Sequence, residues 1–421
     1  MQGKDHLVDR QAHDPASRRV EERANKLLLS PVKGSNQVDV RGFNEKLILH
    51  LIRHYGQLTK AEATRATGLS PNAISTICRA LEKDNLLLRN APIRGRIGQP
   101  STPLRLNPDA RHYLGFKIGR RSYELLVIDF SGSVLARRTS RHHYPTPDST
   151  TAFFRDALRP LLRSAHLRRS DIDAMGVAMP SDIWEFTDDF GAPKPDMDVW
   201  RDTDIVARLQ EILNVDISVE NDGTAACRAE LVFGPELPGQ DVAYFFIGTL
   251  VGGGIILNSA VHVGRSGNSG GFGPLRVPDQ MGGQRLVDHA SLAVLERMVH
   301  AQGLDPYEIY NEAGDWQTLG QAADAWLTRA ARALAHAVIS TLAVIDFDAI
   351  LIDGALPRSA CERLLRALQD EIAKLDLQGI RMPHLATGHF GGSARALGAA
   401  SYRIAHDYML DRSIHHLGAD A

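Results

Sequence analysis

The sequence predicts an α/β protein with a small helical module at its N-terminal end and a two-lobed α/β body behind it. Three observations carry that prediction. Residues 42–84 follow helical periodicity broken by capping signals. From Tyr113 onward, short apolar strands alternate with helices, and this second texture occurs twice. The charge divides along the same line. Residues 41–107 hold 11 Lys and Arg against 4 Asp and Glu. Residues 1–107 sum to +8 and the remainder to -10, although the 421-residue chain is only -2. A basic module joined to an acidic body suits an encounter with a polyanion.

Composition removes other classes. The hydrophobic share of 43% and charged share of 23% are those of an ordinary soluble protein with material for real cores. Three cysteines, Cys78, Cys227 and Cys361, stand far apart with no C-x-x-C pair. That excludes a disulfide framework and a cysteine zinc cluster, and is compatible with a reducing cytoplasm. The first 30 residues lack the apolar run of a signal peptide. The longest apolar stretch, 333–356, is interrupted by His336, Asp346, Asp348 and Asp353, so no membrane span is expected.

Residues 1–40 read as a flexible arm, with a short helix over 18–29 as an option. A first helix over 44–55 places Leu47, Ile48, Leu51 and Ile52 on one face. Thr59 and Glu62 form a T-x-x-E capping box opening a helix over 60–67, and Gly68 closes it. Ser70 caps a third helix with Pro71 at its first position. Ile74, Ile77, Cys78 and Leu81 repeat at i, i+3, i+4, i+7 and must face inward. The opposite face shows Asn72, Ala73, Ser75, Thr76 and Arg79. Small residues permit close approach to a major groove, where Asn pairs with adenine and Arg with guanine. The alternative is a three-helix packing unit with a solvated face. Short strands at 86–89 and 104–106 around Arg94, Gly95, Arg96, Gly98, Gln99 and Pro100 complete a winged helix-turn-helix, whose wing arginines suit phosphates or a minor groove.

In the body, strands are expected at 114–118, 125–130, 134–139, 174–179 and 217–220, with helices over 151–165 and 203–213. A second series begins with strands at 242–247 and 255–258 around a glycine-rich turn. Helices over 286–301 and 322–345, a strand at 350–353, another helix and a last helix near 393–408 follow. Two α/β lobes with a cleft between them are the expectation.

Several ordered segments resemble one family. The N-terminal run "VRGFNEKLILHLIRHYGQLTKAEATRATGLSPNAISTICRALEKDNLL" with "GRIGQPSTPLRLNP", then "VENDGTAACRAE", "IGTLVGGGIILNSAVHVGRSGNSGGFGP" and "GGSARALGAA", are similar to ROK-family transcriptional regulators over residues 40–408. The resemblance implies an actin-like, hexokinase-type body. It would comprise a first lobe at 108–226, completed by a C-terminal helix at 393–412, and a second lobe at 227–392 used for effector binding and oligomerisation. It further implies binding to operator DNA as a homodimer or dimer of dimers. Asn221 and Asp222 match the family's sugar-holding Asn-Asp pair, the Asp being the base in its kinases. A helix N-cap before 223–230 is the other reading of Asp222. Pro180 and Ser181 match a loop that closes over sugar. Gly248, Thr249 and Gly252 to Gly254 match a second phosphate-binding turn, or serve only as tight turn geometry.

Departures from the family pattern matter as much. Where its kinases carry Asp-x-Gly-Gly-Thr, whose Asp works with Mg²⁺, this chain has Lys117-Ile118-Gly119-Arg120-Arg121. The family's Glu-x-Gly-His is Gly271-Phe272-Gly273-Pro274, and no cysteine falls between Pro274 and Ser291. Its wing Gly-Arg-Pro is Gly98-Gln99-Pro100. Neither ATP chemistry nor zinc is therefore expected, His289 reads as a surface residue, and no cofactor is implied. Trp184, Glu185, Lys194, Asp196, Asp198 and Trp200 offer material for a rebuilt sugar pocket, Trp200 being equally explicable as a packing residue. Three readings stay open: a DNA-binding regulator sensing a sugar-like or other polar effector, a sugar kinase with an added DNA-binding region, and a ligand-independent DNA-binding protein whose body only oligomerises.

Overall fold

The structure, a computed structural model, describes residues 37–92, 102–235, 237, 239–280, 283–311 and 314–410. The 1–40 arm, apart from its last four residues, and the wing residues Arg94, Arg96 and Gln99 lie outside the described residues. The chain divides into two units, one ending at Ala110 and taking in Tyr408–Leu410, the other beginning at Arg111.

Local signals build the first unit. Helix α1 (Gln37–Tyr55) starts earlier than its apolar stripe predicts and buries Leu47, Ile48, Leu51 and Ile52. At α2 (Lys60–Thr67) the Thr59 hydroxyl accepts from the Glu62 N–H while the Glu62 carboxylate accepts from the Thr59 N–H at 2.8 Å. Gly68, at φ +69°, ends that helix in the left-handed region that favours glycine. Helix α3 (Pro71–Lys83) opens on Ser70, whose hydroxyl accepts from the Ala73 N–H at 3.2 Å. Strands β1 (Leu87–Arg89) and β2 (Leu104–Leu106) pair antiparallel. Glu82 of α3 holds Arg89 of β1 through two hydrogen bonds.

The second unit repeats one motif. Strands β3 (His112–Ile118), β4 (Ser122–Asp129) and β5 (Val134–Arg141) form an antiparallel meander. After α4 (Pro147–Ser164), β6 (Ala174–Met179) joins β3 in parallel. Short helices α5 (Thr187–Phe190), α6 (Lys194–Asp198) and α7 (Ile205–Gln210) lead to β7 (Asp216–Asn221), giving the order β5-β4-β3-β6-β7. Helix α8 (Asp222–Phe233) crosses to the second lobe, where β8 (Val242–Ile247), β9 (Val251–Leu257) and β10 (Ala260–His262) form the same meander. A β-ribbon, β11 (Arg276–Gln280) and β12 (Gly283–Arg285), precedes α9 (Val287–Ala290), α10 (Leu292–Ala301) and α11 (Gly320–Leu342). Strand β13 (Ala349–Gly354), α12 (Arg358–Ile372) and β14 (His384–Thr387) complete the sheet order β10-β9-β8-β13-β14, and α13 (Ala394–Tyr408) returns to the first lobe. The central strands β3, β8 and β13 are buried along their whole length. That is the burial expected of strands covered on both faces.

Three expectations need correction. The helix over 286–301 is two helices broken at Ser291, whose backbone is extended. The break arises because Leu292 and Ala293 donate their N–H groups to the carbonyls of Gly248 and Thr249, while the Ser291 carbonyl accepts from the Trp326 indole. The helix over 203–213 shortens to α7, because Asp204 supplies its cap by accepting from the Ala207 N–H. His289 is buried rather than a surface residue: one ring nitrogen accepts from Arg329 Nε and the other meets the Gly283 carbonyl.

Candidate functional site

On the first unit, α3 is strongly two-faced. Ile74, Ile77, Cys78 and Leu81 are buried, while Asn72, Thr76 and Arg79 are exposed and Ala73 and Ser75 partly so. Arg79 Nε donates to the Ser75 carbonyl at 3.2 Å, which lays its stem along the helix. Ser70 is exposed, but its oxygen serves the cap described above. The outward face is thus short polar groups plus one long cation, a surface that permits close approach of a groove.

In the second unit a cavity with about 140 Å³ of water-accessible space opens between the lobes. The first lobe contributes Arg120, Pro180, Ser181, Asn221, Asp222 and Arg395. The second contributes Phe246, Thr249, Gly252, Gly253, Asn268 and Gly271. Position follows from the β7–α8 junction. Asn221 is the N-cap of α8: its Oδ1 accepts from the Gly223 and Thr224 N–H groups at 3.0 and 3.2 Å, and its Nδ2 donates to Ser181 Oγ at 3.0 Å. The cap is Asn221, not Asp222, so Asp222 occupies the first helical turn and keeps its carboxylate for the cavity. Its Oδ2 lies 3.3 Å from Arg395 Nη1, and the Arg395 guanidinium sits 4.7 Å from the Phe246 ring centre. A buried Glu220–Arg228 pair at 2.5 Å ties the end of β7 to α8 and holds the junction in place.

Pro180, Ser181, Asn221, Asp222 and Gly271 therefore line one cavity. Trp200 does not. It is buried in the first-lobe core and its indole N–H donates to the Pro145 carbonyl at 3.0 Å. Its neighbours do not reach the cavity wall either: Trp184 lies under Arg201, which pairs with Glu185 and Asp198. Sequence reasoning missed Arg120 and Arg395 as lining groups. Arg395 stands inside the recognised segment "GGSARALGAA", so that signal was available.

The sequence profile of the ROK family matches residues 113–406. This chain belongs to the ROK family. Among its relatives, it is 26% identical over 359 residues to the y4fQ protein of Sinorhizobium fredii, covering 85% of this chain and 89% of that one. It is 25% identical over 246 residues to the xylose repressor of Bacillus spizizenii, covering 58% of this chain and 62% of the repressor. It is 24% identical over 246 residues to the Escherichia coli DNA-binding transcriptional dual regulator NagC, covering 56% and 58%. Two solved ROK structures share the fold. One is a transcriptional regulator described as a homolog of the E. coli MLC protein, with TM-score 0.59, 19% identity and coverage of 86% and 95%. The other is a Streptomyces griseus glucokinase in complex with glucose and AMPPNP, with TM-score 0.54, 21% identity and coverage of 69% and 98%. The fold is thus the actin-like, hexokinase-type pair of lobes.

Within this ROK body the β3–β4 hairpin is unlike a phosphate cradle. Lys117 is buried and donates from Nζ to Ser122 Oγ at 2.7 Å. Arg121 reaches across the lobes to Glu296 of α10 at 2.7 Å, and Glu296 also accepts from the Tyr310 hydroxyl at 2.6 Å. Helix α10 begins on the Gly248–Thr249 turn, whose carbonyls satisfy its first N–H groups. The Arg121–Glu296 bridge therefore ties the β3–β4 hairpin to the helix that starts on the Gly248–Thr249 turn. More arginines tie the lobes nearby: Arg285 to Asp189 at 3.2 Å, and Arg141 to the carbonyls of Tyr307 and Tyr310.

Proposed function

We propose that this ROK protein is a DNA-binding transcriptional regulator, a repressor in output, with no sugar-kinase activity. The observation that carries the reading is the two-faced α3, with Asn72, Thr76 and Arg79 exposed above a buried apolar stripe. Residues 41–107 are proposed as the DNA-binding domain, with Ala73, Ser75 and the wing residues Arg94, Arg96 and Gln99 completing the contact. The xylose repressor and the DNA-binding transcriptional dual regulator NagC among the relatives support the assignment as a regulator. The proposed partner is duplex operator DNA bound by a homodimer or dimer of dimers, because paired half-sites match a two-fold protein. The body senses a small polar effector in the cleft at Asn221 and Asp222. Ligand binding regulates only if it favours one conformation, so effector and operator affinities must be coupled.

Glucokinase relatives exist, and they give the kinase reading its weight. Lys117 and the Arg121–Glu296 bridge argue against it: a cation stands where the resemblance calls for a metal-associated carboxylate, and the hairpin is tied by a side chain to the helix that starts on the Gly248–Thr249 turn. The test is selection of duplex DNA from a random pool by the full chain. Enrichment of a two-half-site motif supports the proposal, and recovery of no preferred sequence overturns it.

A further inference from the structure

Arg120 sits at the cavity wall with only 8% of its surface exposed. A guanidinium has five N–H donors. Here one donates to the Ile183 carbonyl at 2.7 Å, and the Phe190 ring lies 5.0 Å away. Among the described residues no carboxylate forms an ion pair with it. Burial pulls Arg120 down to about 10, against the opposing pull of Asp222, Asp189, Asp182 and Glu185, so it remains a cation at neutral pH. A buried cation with unmet donors is costly, and an anion that completes its hydrogen bonds removes the cost. The second arginine of the same wall repeats the pattern. Arg395 gives Nη1 to Asp222, but its buried Nε has no hydrogen-bond partner.

The charges on the wall choose the kind of anion. Arg395 is already matched by Asp222, and Asp182 also lines the cavity. The lining thus holds two arginines and two aspartates, and Arg120 is the guanidinium with no carboxylate in ion-pair contact, so one carboxylate suits it better than a phosphate dianion facing the same two aspartates. The planar fork of Arg is matched to a carboxylate. Asp222, Ser181 and Asn268 line the same space, and their polar side chains suit hydroxyl groups.

We infer that the cleft takes a sugar acid, a small polyhydroxylated monocarboxylate, with its carboxylate on the Arg120 fork and its hydroxyls on Asp222 and Ser181. The inference rests on the cleft being the effector site. It extends that reading by naming the ligand's charge and the residue that selects for it.

The test is calorimetric titration of the full chain with D-glucuronate, D-galacturonate and D-gluconate, each beside neutral D-glucose or D-galactose, and with glucose 6-phosphate. At least one acid should bind roughly tenfold or more tightly than its neutral parent, the scale of one charge-assisted contact. Arg120→Gln should abolish that preference. Arg120→Lys, which keeps the charge and loses the fork, should retain only part of it. Equal binding of acid and parent, tighter binding of the phosphate, failure of every acid to bind, or a preference that survives Arg120→Gln overturns the inference. Asp222→Ala separates the two levels. If an acid binds but Asp222→Ala leaves its affinity intact, the cleft assignment itself fails. If no acid is preferred but a neutral sugar binds and depends on Asp222, the cleft stands and only the acid falls.

Discussion

Asp353, at the end of β13, shows what a single buried charge does to this body. Burial, reinforced by nearby Glu230, lifts its carboxyl from 3.8 to about 6, although the Tyr244 hydroxyl donates to it at 2.8 Å. The folded value lies above the unfolded one, so the native chain holds this proton more tightly. Its contribution to stability is therefore present below about pH 4 and lost as pH rises through 6. A rise of that size corresponds to about 3 kcal/mol. The stability of the wild type relative to Asp353→Asn should fall by about that amount between pH 4 and pH 7, read by urea unfolding at each pH. A difference that is constant with pH contradicts the assignment. Residues of this kind explain what the sequence could and could not reveal. Asn221 and Asp222 are legible because the motif around them is contiguous. Arg120 is not, because its role depends on Ile183 and Phe190, some 60 to 70 positions away. Trp200 misleads for the same reason: an indole beside carboxylates looks like a sugar platform until Pro145 is seen to take its N–H.

Among the elements, the α8–α13 pair holds the two lobes to a common frame. Gly398 of α13 lies so close to α8 that a Cβ there overlaps the carbonyl oxygen of Ala225. Gly115 and Gly176, on β3 and β6, meet the α13 backbone at Ala396 and Ala399 in the same way. Backbone against backbone cannot relax as a side chain does, so Gly398→Ala should destabilise the body by roughly 1–3 kcal/mol. Thermal unfolding checks this, and an unchanged Tm would falsify the close packing. Elements fixed by local chemistry are the ones the sequence reveals. The Thr59–Glu62 box and the Ser70 cap with Pro71 need only four consecutive residues, and α2 and α3 begin where those signals place them. The break at Ser291 needs carbonyls from Gly248 and Thr249, more than 40 positions earlier, so periodicity alone runs through it. The strand β14 is likewise hidden, because four residues carry too little periodicity to stand out.

At the scale of the whole molecule, the proposed function joins a DNA-reading unit to a ROK body from which no phosphoryl transfer is expected. The Arg121–Glu296 bridge and the Lys117–Ser122 contact occupy the segments on which nucleotide chemistry would depend. A coupled assay with ATP, Mg²⁺ and a panel of hexoses should show no sugar-dependent release of ADP. Turnover above one per minute would restore the kinase reading. The central claim concerns α3, and it is tested most directly by fluorescence anisotropy of the full chain on its selected operator and on an unrelated duplex. Arg79→Ala should weaken operator binding by about 1–3 kcal/mol, roughly ten- to a hundredfold, and leave affinity for the unrelated duplex within a factor of two or so. Operator affinity unchanged in Arg79→Ala, or an equal loss on both duplexes, would contradict the placement of α3 as the sequence-reading helix.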